Sequence, residues 1–397
     1  MTILIITSEY IGETPVGGLA TYTYNISRLL AERENDVIIV TASLKHNNSI
    51  RINQHIILER VYVNDIRTNG VSWINNIKQS GRVAQRVKKI QAKYGVDVIH
   101  YPSELAIGLL IIGKTPKVAR ISTDSILCRE SKKYNYLWKT HVNRMKIEDL
   151  LEYISLWKAD SVFGPGQKIG RVISARIHKD VQLIESPFLF DDNNLDNSIY
   201  QAKLEGKRYL LTHSSLSNTK GILLVGECIY EILKNNSELY YVFAGIDTCI
   251  EIDEKSKMSA VKYIKKNAKE FADRVIYLGS LRREQLFPVI LGSYACILPS
   301  RIDNFPNSCV ESMALGKIVI GTRGGGCEQL ITDGENGLLI KIDSKEDLVK
   351  QINYVLKLSD NQYTNMCKAA KKRVGEMKTE SIVDQLLSLY KNTINSK

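Results

Sequence analysis

No run of about 18 uninterrupted apolar residues occurs in this 397-residue chain, so no transmembrane helix is expected. The nearest candidate, Leu105–Gly113 (LAIGLLIIG), is half the needed length. The N-terminus lacks the basic lead of a secretory signal. It runs apolar from Met1 to Ile6 and turns polar at Thr7-Ser8-Glu9, which reads as a first buried strand. Paired cysteines are missing too: the seven are scattered, odd in number and without a Cys-x-x-Cys. Neither a disulfide framework nor a zinc ribbon fits, and reduced thiols in the cytosol are expected. With hydrophobic residues at 44% and charged ones at 24%, disorder, collagen and coiled coil are excluded as well. Acidic residues are the minority, 43 against 54 basic, for a net +11. Residues 1–185 hold 26 basic and 17 acidic side chains and residues 186–397 hold 28 and 26, so the positive field belongs to the first half. Such a bias fits nucleic acid, an anionic membrane surface or acidic small molecules as partner.

Short β-branched runs alternate with longer amphipathic stretches, the pattern of βα units and parallel sheets. Strands are expected at 2–7, 36–42, 56–63, 97–101, 117–121, 160–163 and 181–185, with helices at 18–33, 73–93, 103–112, 135–158 and 167–177. The Asp- and Asn-rich segment 187–206 reads as a linker. A second series follows, with strands near 208–213, 239–244, 274–278, 294–298, 317–321 and 337–341. Its helices are expected at 219–234, 254–272, 282–291, 308–315, 344–357 and 359–373, and a last amphipathic segment covers 378–394. The fold class is therefore α/β. Two doubly wound domains are expected, 1–186 and 207–376, with 377–397 as a terminal helix and a ligand cleft between the domains.

The most specific stretch is 299–340, PSRIDNFPNSCVESMALGKIVIGTRGGGCEQLITDGENGLLI. A strand ends at Pro299, Asp303 lies in a loop, a helix opens near Asn307-Ser308, and Glu311 lies one turn inside it. Carboxylates accept hydrogen bonds from vicinal hydroxyls, and a helix N-terminus offers free N–H groups to phosphate. A nucleotide sugar needs that combination: one acid for the ribose, one for the hexose, amides for the diphosphate.

This stretch resembles the Glu-x7-Glu signature of retaining glycosyltransferases of family 4, which have the two-domain GT-B fold. Asp303 stands at the first Glu position and Glu311 at the second. Pro299-Ser300, Asn304-Phe305-Pro306-Asn307, Glu311-Ser312-Met313-Ala314-x-Gly316 and Gly324-Gly325-x-x-Glu328 follow the family's order. Gly17-Gly18, Asp97-Val98-Ile99-His100, Ala159-Asp160-Ser161-Val162 with Gly164-Pro165, and Lys220-Gly221 extend the likeness over nearly the whole chain. The resemblance implies two Rossmann-like domains facing a central cleft, an acceptor-binding first domain, a nucleotide-sugar-binding second one and a terminal helix crossing back to the first. It implies Lys220, Asp303 and Glu311 as the catalytic set: Glu311 on the ribose, Asp303 on the transferred sugar, Lys220 neutralising the diphosphate. Donor contacts are implied at Gly17, Gly18, Ser215, Leu281, Asn304, Phe305, Pro306, Asn307 and Ser308, and acceptor contacts at His100, Arg120 and Ser122. No metal and no cofactor is implied, because lysine and helix amides meet the diphosphate.

Two positions depart from the family. Ser215 stands where an Arg is usual, leaving one phosphate charge to Lys220, backbone, or another basic residue such as Arg301 or Arg323. The usual acceptor-side His is replaced by Arg120-Ile121-Ser122-Thr123.

Other signals have plainer readings. His100 is a cleft residue or a packed core histidine. Gly164-Pro165-Gly166-x-x-x-Gly170 mimics a dinucleotide fingerprint with the wrong spacing and reads as a helix start. The basic face Arg82, Arg86, Lys88, Lys89 and Lys93 is a solvated helix surface or an attachment to anionic lipid. No aromatic-interleaved basic patch for nucleic acid is evident.

The sequence therefore reads as a cytosolic hexosyltransferase-type enzyme, with a peripheral position at the inner membrane face as the reading of its basic first half. It would move a sugar from a nucleotide diphosphate donor to a glycan or lipid-linked glycan in surface polysaccharide synthesis. The alternatives are a catalytically silent homologue acting as partner or scaffold, which Ser215 motivates, and a GT-B nucleotide-sugar 2-epimerase, which would need a cluster of catalytic acids and His in a chain with only six His.

Overall fold

The computed structural model describes residues 1–14, 17–62, 73–133, 145–190 and 194–397. These divide into two compact units. One holds the described residues of Met1–Ile126, Val142–Leu189 and Lys378–Lys397, the other those of Leu127–His141 and Phe190–Met377.

The first unit is one sheet of eight strands: β1 (Thr2–Thr7), β2 (Asp36–Ser43), β3 (Ser49–Arg51), β4 (Ile56–Tyr62), β5 (Val98–Pro102), β6 (Lys117–Arg120), β7 (Ser161–Gly164) and β8 (Val181–Leu183). Their order is β3-β4-β2-β1-β5-β6-β7-β8. All neighbours run parallel except β3, which lies antiparallel on β4. Strands such as Ile3–Ile6 and Val37–Val40 are buried on both faces, so helices must cover both sides. The helices are α1 (Gly18–Glu32), α2 (Trp73–Tyr94), α3 (Ser125–Glu130, where the division between the units falls), α4 (Ile147–Trp157), α5 (Gln167–Ile177) and the C-terminal helix Thr379–Asn395. Tyr390 of that last helix is wholly buried and Thr393 bonds Ser161 at 2.8 Å.

The second unit has six parallel strands, β9 (Arg208–His213), β10 (Leu239–Ala244), β13 (Val275–Tyr277), β14 (Ala295–Leu298), β15 (Ile318–Thr322) and β16 (Leu338–Ile340). A small hairpin, β11 (Cys249–Glu251) with β12 (Lys257–Ser259), stands apart. The order is β13-β10-β9-β14-β15-β16. The chain winds outward one way from β9 and the other way from β14, so the switch point lies between them. Ligands of open parallel sheets bind at that point, beyond the strands' carboxyl ends. Helices α6 (Ser198–Lys203), α7 (Ile222–Lys234), α8 (Ala260–Ala268), α9 (Arg283–Gly292), α10 (Asn307–Ala314), α11 (Lys345–Leu356) and α12 (Asp360–Gly375) flank the sheet; the C-terminal helix is α13.

Several expectations are corrected. The helix expected at 103–112 is only a 3-10 turn at Glu104–Ala106, because Leu105 and Ala106 take left-handed φ of 58° and 49°. The helix expected at 254–272 starts at Ala260. Asp253 Oδ1 accepts from the amides of Lys255 and Ser256, which turns the chain into the hairpin, and Ser259 then caps the helix. Lys269, at φ 52°, ends it. The segment 187–206 contains α6, whose Tyr200 packs against Gly292 of α9; a Cβ at Gly292 would lie 2.2 Å from the ring. Of the helix expected at 135–158, only α4 falls within the described residues after 144.

Candidate active site

Two loops leave the switch point of the second unit, one from β9 and one from β14. The first forms a 3-10 turn at Asn218–Lys220 and enters α7 through Gly221, whose φ is +73°. A Cβ there would lie 1.9 Å from the Pro299 carbonyl, so only glycine lets the two loops meet. The Arg301 amide donates to the Thr219 carbonyl at 2.8 Å and ties them together. This juxtaposition puts the Lys220 ammonium on the Asp303 carboxylate in a direct ion pair. Lys220 keeps about a quarter of its side chain exposed (26%) and Asp303 15%, so the pair opens to solvent. Burial pulls the Lys220 ammonium down, but the Asp303 carboxylate outweighs it and the net shift is upward. Lys220 is therefore a fixed cation at neutral pH. Asp303 is steadied by the Asn304 amide, which donates to its Oδ1 at 3.0 Å.

The β14 loop ends at Pro306, which begins α10; its fixed φ suits a helix start. First-turn amides of a helix have no acceptor within it, so this end favours anions. Glu311 sits in the second turn, 8% exposed. Its Oε1 is 4.0 Å from Arg283 Nε on α9, and its Oε2 is 3.9 Å from Nδ1 of His213, the last residue of β9. Burial raises Glu311 to about 7, against the pull of Arg283. His213 is pushed down to about 4 by burial and its Nε2 lies 2.7 Å from Ser312 Oγ. The site thus joins two cations, Lys220 and Arg283, two acids of different character and a helix N-terminus.

The structure brings Lys220, Asp303, Asn304, Phe305, Pro306, Asn307, Ser308 and Glu311 into this one region. Asn304, Phe305 and Pro306 are buried and support the loop, while Asn307 and Ser308 are half-buried. Ser215 is exposed on the β9 loop, and Leu281 is half-buried in the loop before α9. The two stand-ins for the missing arginine are otherwise engaged. Arg301 is 4% exposed; it pairs with Asp343 at 2.9 Å and donates to the carbonyls of Ser131 and Lys133 at 3.2 and 2.6 Å. Arg323 pairs with Asp333.

In the first unit, Gly17 caps α1 and Gly18 opens it; a Cβ on Gly17 would strike the Glu9 carboxylate at 2.3 Å. His100 is a packed core histidine rather than a lining residue. It is 2% exposed, its Nδ1 lies 2.6 Å from Tyr390 Oη, and its ring stands edge-on to Phe163. Arg120 is likewise enclosed: its guanidinium covers the Tyr22 ring at 3.8 Å and donates to Ser186 Oγ at 3.1 Å. Ser122 is half-buried, and its amide donates to Ser103 Oγ at 3.0 Å.

Sequence reasoning missed His213 and gave no role to Ser312 or Arg283. For His213 the available signal was a polar residue at the carboxyl end of a central strand, where buried apolar types prevail. Among the described residues no group of three or more His, Cys, Asp or Glu side chains is placed to hold a metal ion.

The glycosyl transferases group 1 family matches residues 196–373, and glycosyltransferase family 4 matches residues 16–185. Among curated proteins, N-acetyl-alpha-D-glucosaminyl L-malate synthase of Bacillus anthracis is 22% identical over 391 residues, 94% of each chain. Lipopolysaccharide 1,2-N-acetylglucosaminetransferase of Salmonella typhimurium is 26% identical over 204 residues, 50% of this chain and 52% of that protein. Sucrose-phosphate synthase from Thermosynechococcus elongatus shares the fold, with a TM-score of 0.79, 18% identity and full coverage of both chains. Two Rossmann-like units, an acid–lysine site at the switch point of the second, and both halves of the family signature lead to one conclusion: this chain is a glycosyltransferase of the group 1 and family 4 kind, with the GT-B fold.

Proposed function

We propose that the chain transfers a hexose-type sugar, with retention, from a nucleotide diphosphate sugar to a hydroxyl of a glycan or lipid-linked glycan in surface polysaccharide synthesis. The observation that carries this reading is the Lys220–Asp303 pair beside Glu311 at the mouth of the second sheet. Glu311 accepts hydrogen bonds from the ribose hydroxyls and Asp303 from those of the sugar. Lys220 and the first amides of α10 take up the charge that grows on the diphosphate as the anomeric bond breaks. The acceptor hydroxyl attacks the anomeric carbon from the face the diphosphate leaves, and its proton passes to the departing phosphate oxygen. No metal and no cofactor is needed in this scheme, because Lys220 and the helix amides meet the diphosphate.

A peripheral position at the cytosolic membrane face is supported by two surfaces of the first unit. On α2, Arg82, Lys88, Lys89 and Lys93 are exposed. On α4, Ile147, Leu150, Ile154 and Trp157 are exposed at intervals of three and four along one face, flanked by Lys146 and Lys158. Apolar side chains enter the interface while each nearby base adds about 1 kcal/mol against anionic lipid. Among the described residues no helix is long and apolar enough to cross a membrane.

The test is donor turnover with UDP-, GDP-, ADP- and dTDP-sugars, against acceptors ranging from malate to diphospho-polyprenol glycans. Lys220→Ala should lower kcat by about a hundredfold or more, as loss of one preorganised charge does at such sites. Turnover that survives both Lys220→Ala and Glu311→Ala would remove the catalytic reading.

A further inference from the structure

Lys220 owes its place to a stretch of chain that lies far away in sequence. The β9 loop, Ser214–Gly221, carries no other cation, so what this loop offers the diphosphate depends on where one ammonium sits. The turn that bears it is short. Asn218–Lys220 is a single 3-10 turn, closed by the Lys220 amide on the Ser217 carbonyl and the Gly221 amide on the Asn218 carbonyl, each at 3.0 Å. Turns of this kind have poor hydrogen-bond geometry and gain rigidity from what surrounds them.

A strap of three residues, Ser131–Lys133, supplies that support. The described residues of Leu127–His141 pack with the second unit, although the chain on either side belongs to the first. The Lys132 carbonyl accepts from Asn218 Nδ2 at 2.7 Å, and the same amide group donates to the Glu251 carbonyl at 2.8 Å. Ser131 Oγ lies 3.0 Å from Thr219 Oγ1. Arg301 joins the second loop to both. Its guanidinium donates to the carbonyls of Ser131 and Lys133 at 3.2 and 2.6 Å, and its backbone amide donates to the Thr219 carbonyl at 2.8 Å. Strap, Lys220 turn and Asp303 loop are thus one hydrogen-bonded body. Ser131, Asn218 and Arg301 are 0%, 3% and 4% exposed, so water does not compete for these bonds.

We propose that Ser131, Asn218 and Arg301 are positioning residues that hold the Lys220 turn through this strap, so that the ammonium meets the diphosphate as the anomeric bond breaks. This rests on the reading of Lys220 as the cation of the donor site. The three act through Lys220 and not on the donor. A lysine carries its charge on a flexible four-carbon stem, and a charge stabilises a transition state best when it is already in place. A misplacement of about 1 Å can cost about a hundredfold in rate. The loss falls on kcat more than on donor affinity, because the charge that needs the ammonium grows as the bond breaks.

Ser131→Ala and Thr219→Val remove the same contact from its two sides and leave the backbone bonds of the strap in place. Turnover is read as release of nucleoside diphosphate from UDP-N-acetylglucosamine, or from whichever of UDP-, GDP-, ADP- and dTDP-glucose raises the melting temperature. Each variant should lower kcat about tenfold and change donor Kd by about threefold or less. Ser359→Ala is the control for stability alone: it removes the side-chain cap of α12, and should lower the melting temperature while kcat stays at the wild-type value. In a Lys220→Ala background no ammonium remains to be placed, so Ser131→Ala and Thr219→Val should there change kcat by about twofold or less. If the loss of about tenfold persists in that background, the strap acts independently of Lys220 and the inference falls. It falls as well if the single variants keep the wild-type kcat, or if Ser359→Ala loses as much as they do. Lys220→Ala that turns over like wild type would instead overturn the reading of Lys220 itself.

Discussion

Glu311→Gln should stabilise the protein while it destroys donor binding. The carboxyl is raised from 4.5 to about 7, chiefly by burial and against Arg283. A group whose folded-state value lies above its unfolded one binds more protons in the folded state across that window. Stability therefore falls as pH rises from 4.5 to 7 and stays low above it. At 1.36 kcal/mol per unit, the ionised Glu311 costs the fold about 3 kcal/mol at pH 8 and under about 1 kcal/mol at pH 5. Glutamine keeps the shape and cannot ionise, so the difference returns as stability. For a unit of this size, about 3 kcal/mol corresponds to roughly 5–10 °C in melting temperature. The assay is thermal unfolding of wild type and variant at pH 5 and pH 8, each with and without nucleotide sugar. The variant should melt higher at pH 8, nearly equal at pH 5, and gain little from the ligand. A variant that melts at or below wild type at pH 8 would refute the reasoning, because Glu311 would then be stabilised as a carboxylate.

Four further outcomes follow from the same geometry. Ser215→Arg adds a cation on the exposed β9 loop, and a charge-assisted contact to the diphosphate should tighten nucleotide-sugar binding about tenfold, less at high salt; unchanged Kd would show that the loop does not face the phosphates. Arg301→Ala strands Asp343 and the carbonyls of Ser131 and Lys133, and should lower stability by about 3 kcal/mol, read by denaturant unfolding. Gly221→Ala drives a Cβ into the Pro299 carbonyl from a left-handed φ, so both stability and turnover should fall, the former by about 2 kcal/mol or more. Ile154→Asp with Trp157→Asp should abolish flotation with phosphatidylglycerol vesicles and leave soluble-donor binding intact; flotation that ignores these changes, lipid charge and salt would sink the membrane assignment.

The strands were legible because parallel strands buried on both faces must be apolar throughout, as in Ile3–Ile6 and Leu210–Leu211. Elements that answer to backbone rather than to apolar pattern were not. The turn at Leu105–Ala106 depends on two left-handed residues that no periodicity announces, and the β11–β12 hairpin depends on Asp253 seizing two amides. In the site, Asp303, Glu311 and Lys220 stood out through the resemblance of their flanking motifs to the family's, which spacing alone would not have supplied. His213 did not, since a histidine ending a strand says nothing of what lies opposite.

Local chemistry alone therefore determined the fold class and the βα succession, because each is written in neighbouring residues, and the resemblance of short motifs to a known family added the three charged residues at the second sheet. Which partners those residues meet was decided in three dimensions. Arg301 is spent on Asp343, 42 residues away in sequence. His100 is spent on Tyr390, 290 residues away. The β9 and β14 loops meet only because their strands are neighbours at the switch point. A charge's role depends on the distance to its counter-charge and on the water left around it, and both are properties of the packed chain.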